Sequence, residues 1–344
     1  MNKKLVIVSP ALADANNGNW QTAQRWRRLL RPHHTVRIVR QWPDGPGAQH
    51  DDAMLALHAR RSAESIEAWG QARARAHPAE PAPTRGLAVV LTGTDLYQDI
   101  QTDRYAQRSL QWAQSLVTLQ DRGPVALPLG LRNRAVVVLQ STGAWQTLAK
   151  PSAPLRAVMV GHLRDEKSPQ TLFAAAGLIA PDEGIVIDHI GSALDAALGE
   201  QARATAQACP HYRWWGELAH PQVRRRIQRA HVLVHTSRVE GGAHVLMEAV
   251  RSGTVVLASR IDGNVGMLGE DYAGYFEWNN AAQLVQLLRR CRDAVRNPAG
   301  QDDLYTQLQR QCAQRAPLFS AEAEQAALLQ LVRALTNPTN SPQD

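Results

Sequence analysis

The chain has 344 residues, of which 44% are hydrophobic and 20% charged, and it carries a formal net charge of +7. That balance is ordinary for a water-soluble globular protein, and the length allows two domains, each with its own core. No apolar run approaches the roughly 18 residues of a membrane-spanning helix, so no such helix is expected.

The opening residues MNKKLVIVSPALAD hold an apolar run of only about five residues before Pro10. That is too short for the h-region of a signal peptide, so LVIVSP (5–10) reads as a buried first strand and a cytoplasmic location is expected. The loop ALADANNGN leads into a helix beginning near Trp20. TVRIVRQW (35–42) is the next strand, and MLALHARRS (54–62) a short one whose end carries His58, Arg60 and Arg61. A helix follows to about Ala76. HPAEPAPTRG (77–86) is a surface loop before the strand LAVVLTGTD (87–95). SLVTLQ (115–120) and AVVVLQ (135–140) are further strands.

The segment STGAWQTLAKPSAP (141–154) lacks periodicity and carries two prolines, which marks it as a domain boundary. The pattern then restarts. LRAVMVGHL (155–163) is a strand, followed by a helix with Ser168 as cap and Pro169 at its first position. IVIDHI, HYRWWG, HVLVHTS, TVVLAS and AGYFEW mark later strands, with helices between them. A last amphipathic helix spans about 320–335. Short apolar runs alternating with amphipathic stretches predict α/β architecture: two doubly wound, Rossmann-like domains with parallel sheets facing a cleft, with ligands at the carboxyl ends of the strands. The expected domains are 1–150 and 151–319, with a C-terminal helix at 320–338.

Cys209, Cys291 and Cys312 are far apart without metal-ligand spacing, so they read as reduced, mostly buried thiols. Lysine occurs only at Lys3, Lys4, Lys150 and Lys167. The cluster Arg224, Arg225, Arg226 and Arg229 reads as a solvated helix face and not as a nucleic-acid stripe. The positive charge favours anionic substrates.

The most informative stretch is EGGAHVLME (240–248). It follows an apolar strand and opens a helix on Gly241 and Gly242. Glycines let the backbone approach a ligand, and the amides of Ala243, His244 and Val245 at the helix start favour an anion. Glu240 sits in the loop mouth, and Glu248 lies roughly 9 Å further along the helix axis. Carboxylates repel phosphate but accept paired hydrogen bonds from vicinal hydroxyls. A ligand with an anionic middle and a polyol at each end fits, and a nucleoside-diphosphate sugar has that shape. Glu248 then takes the ribose, the glycine turn the diphosphate and Glu240 the hexose. The alternative is an ordinary turn with Glu248 exposed on its helix. In VGHLRDEKSP (160–169), Arg164 and Lys167 supply the cations that neutralise a diphosphate and stabilise it as a leaving group.

Together VGHLRDEKSP, EGGAHVLME and SGTVVLAS resemble the donor domain of family-4-type glycosyltransferases of the GT-B fold. The resemblance implies Arg164 and Lys167 as diphosphate ligands, Glu240 as hexose ligand and Glu248 as ribose ligand. It also implies no catalytic metal or cofactor, and a final helix that crosses back to the first domain. The chain departs from the family pattern at His162, where arginine often follows the loop glycine.

The first domain is left to bind the acceptor, through Asn17, Gly18 and Asn19, through Arg60 and Arg61, and through Thr94 and Asp95. Neighbours on a strand face opposite ways, so at least one of the two arginines should point into the cleft. His58 reads either as a packed structural histidine or as a catalytic one, and Asp95 either as a loop cap or as a substrate contact. NNGNWQTAQRW, ALHARRSA, LTGTDLY and VEGGAHVLMEAVRSG also resemble a narrower group, the selenosugar synthases of selenoneine biosynthesis. That likeness implies transfer from a UDP-sugar, such as UDP-N-acetylglucosamine, to selenophosphate, with no nucleic-acid partner. His58 and Glu240 are the catalytic candidates. Transfer to a hydroxyl acceptor is the alternative.

Overall fold

The computed structural model describes residues 2–12, 18–76, 84–298 and 303–337, which form two compact units. The first unit holds residues 1–140 and 321–344. Its strands are β1 (Lys4–Val8), β2 (Thr35–Val39), β3 (Ala53–Leu57), β4 (Thr84–Leu91), β5 (Ala113–Thr118) and β6 (Ala135–Val137). All pair in parallel, in the order β2-β1-β3-β4-β5-β6. Successive side chains of a strand face opposite ways, and here both ways are core. Leu5 and Ile7 join one buried cluster, Val6 and Val8 the other. That double burial is why these strands read as unbroken apolar runs rather than as alternation.

Several limits differ from expectation. β3 stops at Leu57, and 58–62 form a turn. Arg60 and Arg61 are therefore not strand neighbours, and alternation says nothing about their directions. β4 starts at Thr84 rather than Leu87, and a helix Arg104–Trp112 follows it, capped by Asp103 on the amides of Tyr105 and Ala106.

The last helix, Ala321–Thr336, packs on the first unit. Leu328, Leu331, Val332 and Leu335 enter the cluster around Trp26. Glu324, 1% exposed, accepts from Arg25 Nε at 3.0 Å and from Trp26 Nε1 at 2.7 Å. Glu324→Ala leaves the Arg25 charge buried without its partner. It is expected to destabilise the first unit by about 3 kcal/mol, read as a shifted urea midpoint; an unchanged midpoint would show the pair to be dispensable.

The second unit holds residues 141–320. Its strands are β7 (Leu155–Val160), β8 (Ile185–Ile190), β9 (Tyr212–Trp214), β10 (Val232–His235), β11 (Val255–Ser259) and β12 (Tyr275–Phe276). They too are all parallel, in the order β12-β11-β10-β7-β8-β9. The order reverses between β7 and β10, and at such a point the two outgoing loops diverge and leave room for a ligand.

Residues 141–150 belong to this unit rather than the first because their hydrogen bonds lie here. Trp145 N donates to Arg251 O at 3.0 Å, Gln228 Nε2 to Gln146 O at 2.7 Å and Lys150 Nζ to Gly253 O at 3.1 Å. Ser168 does occupy the N-cap position of the helix Pro169–Gly177, but its hydroxyl makes no cap. It donates to Asp165 O and accepts from Trp278 Nε1.

Cys291 and Cys312 are buried and Cys209 is half-buried, all three unbridged. Burial pushes the Cys291 thiol up to about 12 and the Cys312 thiol up to about 11, so neither is a thiolate near neutrality. Among the described residues no helix is long and apolar enough to cross a membrane.

Candidate functional site

Two loops leave the second sheet at its reversal point. The β7 loop carries Arg164 and Lys167; the β10 loop carries Glu240. Lys167 Nζ lies 2.5 Å from Glu240 Oε1, with the side chains 17% and 11% exposed. Burial works to raise the Glu240 carboxyl, but Lys167 and His235 outweigh it and hold it below its ordinary value. The backbone fixes this pair. Thr236 Oγ1 donates to Lys167 O at 2.7 Å, and Arg238 N to Glu166 O at 3.0 Å. Gly263, in the helix Asp262–Leu268, lies where a Cβ would strike Glu240 O and Cβ, so only glycine permits this approach. His235, on β10, is buried with Nε2 3.5 Å from Glu240 Oε1.

The helix after the glycine turn runs His244–Val250, with Ala243 as N-cap and no side chain capping it. Gly241 and Ala243 are buried, while Gly242, His244 and Val245 are half-buried. Glu248 is 3% exposed, so it is not the outward-facing residue of the alternative reading. Three basic groups surround its Oε1: His220 Nε2 at 2.7 Å, Arg224 Nη1 at 3.5 Å and His244 Nε2 at 3.6 Å. Burial favours the neutral acid, but His220, His244 and Arg224 together hold the carboxyl below its ordinary value.

Arg224 corrects the reading of its cluster as a solvated face. It is buried, bonds Thr142 Oγ1 at 2.7 Å and Gly143 O at 2.9 Å, and stacks over Trp145. Arg226 stacks over Trp215 and reaches Asp188, whereas Arg225 and Arg229 are exposed. Sequence reasoning missed His220 and Arg224 at this site. The available signal was phase: in the helix His220–Arg229 they stand at i and i+4, on the side of buried Val223 and Ile227.

The hydrogen bond to Glu248 raises the His220 pKa above its ordinary 6.5. A raised histidine contributes stability that is complete below 6.5 and lost as pH rises through the folded-state value. Wild-type stability is therefore expected to fall from about pH 6.5 upward by a term that His220→Ala lacks. Urea midpoints across that range measure it, and parallel profiles for the two proteins would contradict it.

Arg164 is tied to Lys167 through the backbone, its carbonyl accepting from Lys167 N at 3.0 Å. Its side chain is half-exposed, with Nε 3.9 Å from Glu166 Oε2. His162 Nδ1 accepts from Ser192 N at 3.1 Å, which ties the β7 loop to the β8 loop.

In the first unit the structure brings His58, Arg60, Thr94 and Asp95 together at the carboxyl ends of β3 and β4. His58 is buried at φ 73°, a left-handed conformation uncommon for histidine. Its Nδ1 accepts from Arg61 N at 3.4 Å, and Nε2 lies 3.5 Å from Thr94 Oγ1 and 3.8 Å from Asp99 Oδ2. Burial pushes its pKa down, against the pull of Asp95. Asp95 is fully buried and accepts from the amides of Ala59, Thr92 and Gly93 at 2.8 to 2.9 Å. It is therefore the loop cap of its two readings, holding the turn that carries His58. Arg60 pairs with Asp99 at 3.4 Å and Asp103 at 3.2 Å, two acids not singled out from the sequence. Arg61 and Thr94 are exposed. Gly18 begins the helix Gly18–Leu30, Asn19 is buried within it, and Asn17 lies outside the described residues.

Residues 145–313 match the family described as "Glycosyl transferases group 1". No curated protein matches the chain. Among solved structures, sucrose-phosphate synthase from Thermosynechococcus elongatus is 16% identical with a TM-score of 0.72, covering 97% of this chain and 99% of that one. HepE of Anabaena, solved with UDP-glucose, is 14% identical with a TM-score of 0.69, covering 97% and 100%. TarM of S. aureus, solved with UDP, is 12% identical with a TM-score of 0.61; it covers 82% of this chain, which spans only 56% of TarM. Such identities establish the fold. The two doubly wound parallel sheets have the GT-B fold, and within the second unit residues 145–313 are similar to the group 1 glycosyl transferases.

Proposed function

We propose that this chain, whose residues 145–313 match the group 1 glycosyl transferases, transfers a glycosyl group from a UDP-sugar to selenophosphate. The observation that carries the donor half is the pairing of Lys167 with Glu240 where the sheet order reverses, with Glu248 buried among three basic groups beyond it. In this reading Glu248 takes the ribose diol. Lys167 and Arg164, with the amides of residues 241–245, take the diphosphate, and Glu240 takes the hexose. HepE was solved with UDP-glucose, which supports a UDP-sugar as the donor class.

The acceptor half rests on the sequence likeness to selenosugar synthases and on the chemistry of His58. With Nδ1 accepting from Arg61 N, the neutral ring carries its proton on Nε2. That end donates a hydrogen bond, which suits an oxyanion better than removal of a hydroxyl proton, and exposed Arg61 adds positive charge beside it. Selenophosphate is already a nucleophilic anion, so positioning matters more than a base. Sugar C1 exchanges its bond to diphosphate oxygen for one to selenium. The electron pair of the broken bond leaves with UDP, where Lys167 and Arg164 meet the charge. Water then removes the phosphoryl group from selenium.

The test is incubation with UDP-N-acetylglucosamine and either selenophosphate or a panel of hydroxyl acceptors, followed by mass spectrometry. A product with the selenium isotope pattern, formed together with UDP, is expected. Transfer to hydroxyls alone would overturn the acceptor, and no UDP release with any acceptor would overturn the donor.

A further inference from the structure

His235 lies at the end of β10, 3% exposed, and among the described residues neither of its ring nitrogens has a hydrogen-bond partner. A buried imidazole deprived of both bonds is costly to keep. A purely structural role would be filled better by an apolar side chain of similar size. What the ring faces is Glu240 Oε1, 3.5 Å from Nε2, and that oxygen is held by Lys167 at 2.5 Å. Arg238 pairs with Asp165 at 2.6 Å, and Asp262 is exposed at the start of the helix packed on Glu240.

We propose that His235 is a positioning residue that takes over the Glu240 carboxylate when the donor's diphosphate draws Lys167 away. The inference rests on the donor reading given above. Without donor, Lys167 neutralises Glu240. A diphosphate carries more negative charge than one carboxylate and competes for the same ammonium. Once Lys167 turns to it, Glu240 is left buried, charged and free to swing. A movement of a few tenths of an ångström brings Glu240 Oε1 within range of a neutral His235 N–H. Burial pushes the His235 pKa down to about 4, so the ring stays neutral across the working range. It can supply that hydrogen bond without a second positive charge to compete for the diphosphate. Glu240 thereby stays ionised and aimed while Lys167 serves the leaving group.

The test compares His235→Phe, which fills the space without a donor, with His235→Asn, which restores an N–H. Two readouts are used: steady-state kinetics of UDP release against pH, and UDP affinity by calorimetry. The Phe variant is expected to lose about 10- to 100-fold in kcat with donor KM changed less than about threefold. The acid limb of its kcat profile should move up by about one pH unit, because Glu240 is then less well held as an anion in the donor complex. The Asn variant should recover most of the kcat loss and the wild-type acid limb. Equal kcat and equal acid limbs in all three proteins would overturn the role of His235, as would losses in Asn as large as in Phe. If His235→Phe does not fold, labelled-histidine NMR of the wild type decides, with His235 assigned from the spectrum of the Asn variant. Saturating UDP should move the His235 ring resonance into the hydrogen-bonded range, and no shift there overturns the proposal. Failure of the wild type to bind UDP at all would instead overturn the donor reading itself.

Discussion

Glu248→Gln is expected to weaken UDP binding by roughly 10- to 100-fold, the worth of charge-assisted hydrogen bonds exchanged for neutral ones. Glutamine has nearly the same shape, so the loss is of charge and not of packing. The carboxylate is 3% exposed and sits amid His220, Arg224 and His244. Removing its charge also leaves Arg224 buried beside like charges. Arg224 keeps its bonds to Thr142 and Gly143, so folding survives with a loss of about 1–3 kcal/mol. Calorimetry with UDP and urea unfolding on the same preparation separate the two effects. A folded variant with wild-type UDP affinity would refute Glu248 as the ribose ligand.

Lys167→Ala carries the second large effect, and it acts twice. It removes the ammonium assigned to the diphosphate, expected to lower kcat by about 10²–10³-fold, the usual loss when a group stabilising developing charge is deleted. It also strips Glu240 of its ion partner. A fully buried broken pair costs about 3–5 kcal/mol; with side chains 17% and 11% exposed, water reduces this to about 2 kcal/mol. The double substitution Lys167→Met, Glu240→Gln removes both charges. It should regain most of the lost stability and none of the lost activity, since coupled neighbours are not additive. A double variant as unstable as Lys167→Ala would show that the ion pair is not the source of the instability.

The elements that carry the site were readable in the residues. Apolar runs such as LVIV and VVLAS lie between polar turns because each strand is buried on both faces, so the period of the pattern names the parallel sheet. Glu240, Glu248 and Lys167 stood out through their position after strands and, for lysine, through scarcity. Limits near the site were less legible. β3 stops at Leu57 because His58 turns into a left-handed conformation, held there by Asp95 through the Ala59 amide. That is a contact across 36 residues, which no local pattern encodes. The boundary expected at residue 150 moved to 140 for a similar reason: an aperiodic segment goes where its hydrogen bonds are made, and those partners, Arg251, Gln228 and Gly253, are distant in sequence.

By itself, then, the sequence determined the two parallel sheets, the loops at the carboxyl ends of their strands, and which carboxylates and cations those loops of the second unit hold. Those follow from local periodicity and from residue type, which a linear chain displays directly. Only the tertiary structure decided how the charges are paired: Lys167 with Glu240, Arg224 and His220 with Glu248, and His235 buried with neither nitrogen bonded among the described residues. Pairing depends on distance and dielectric. Both are set where the strand order reverses and loops remote in the chain meet, and there a lysine becomes the partner of one glutamate rather than another.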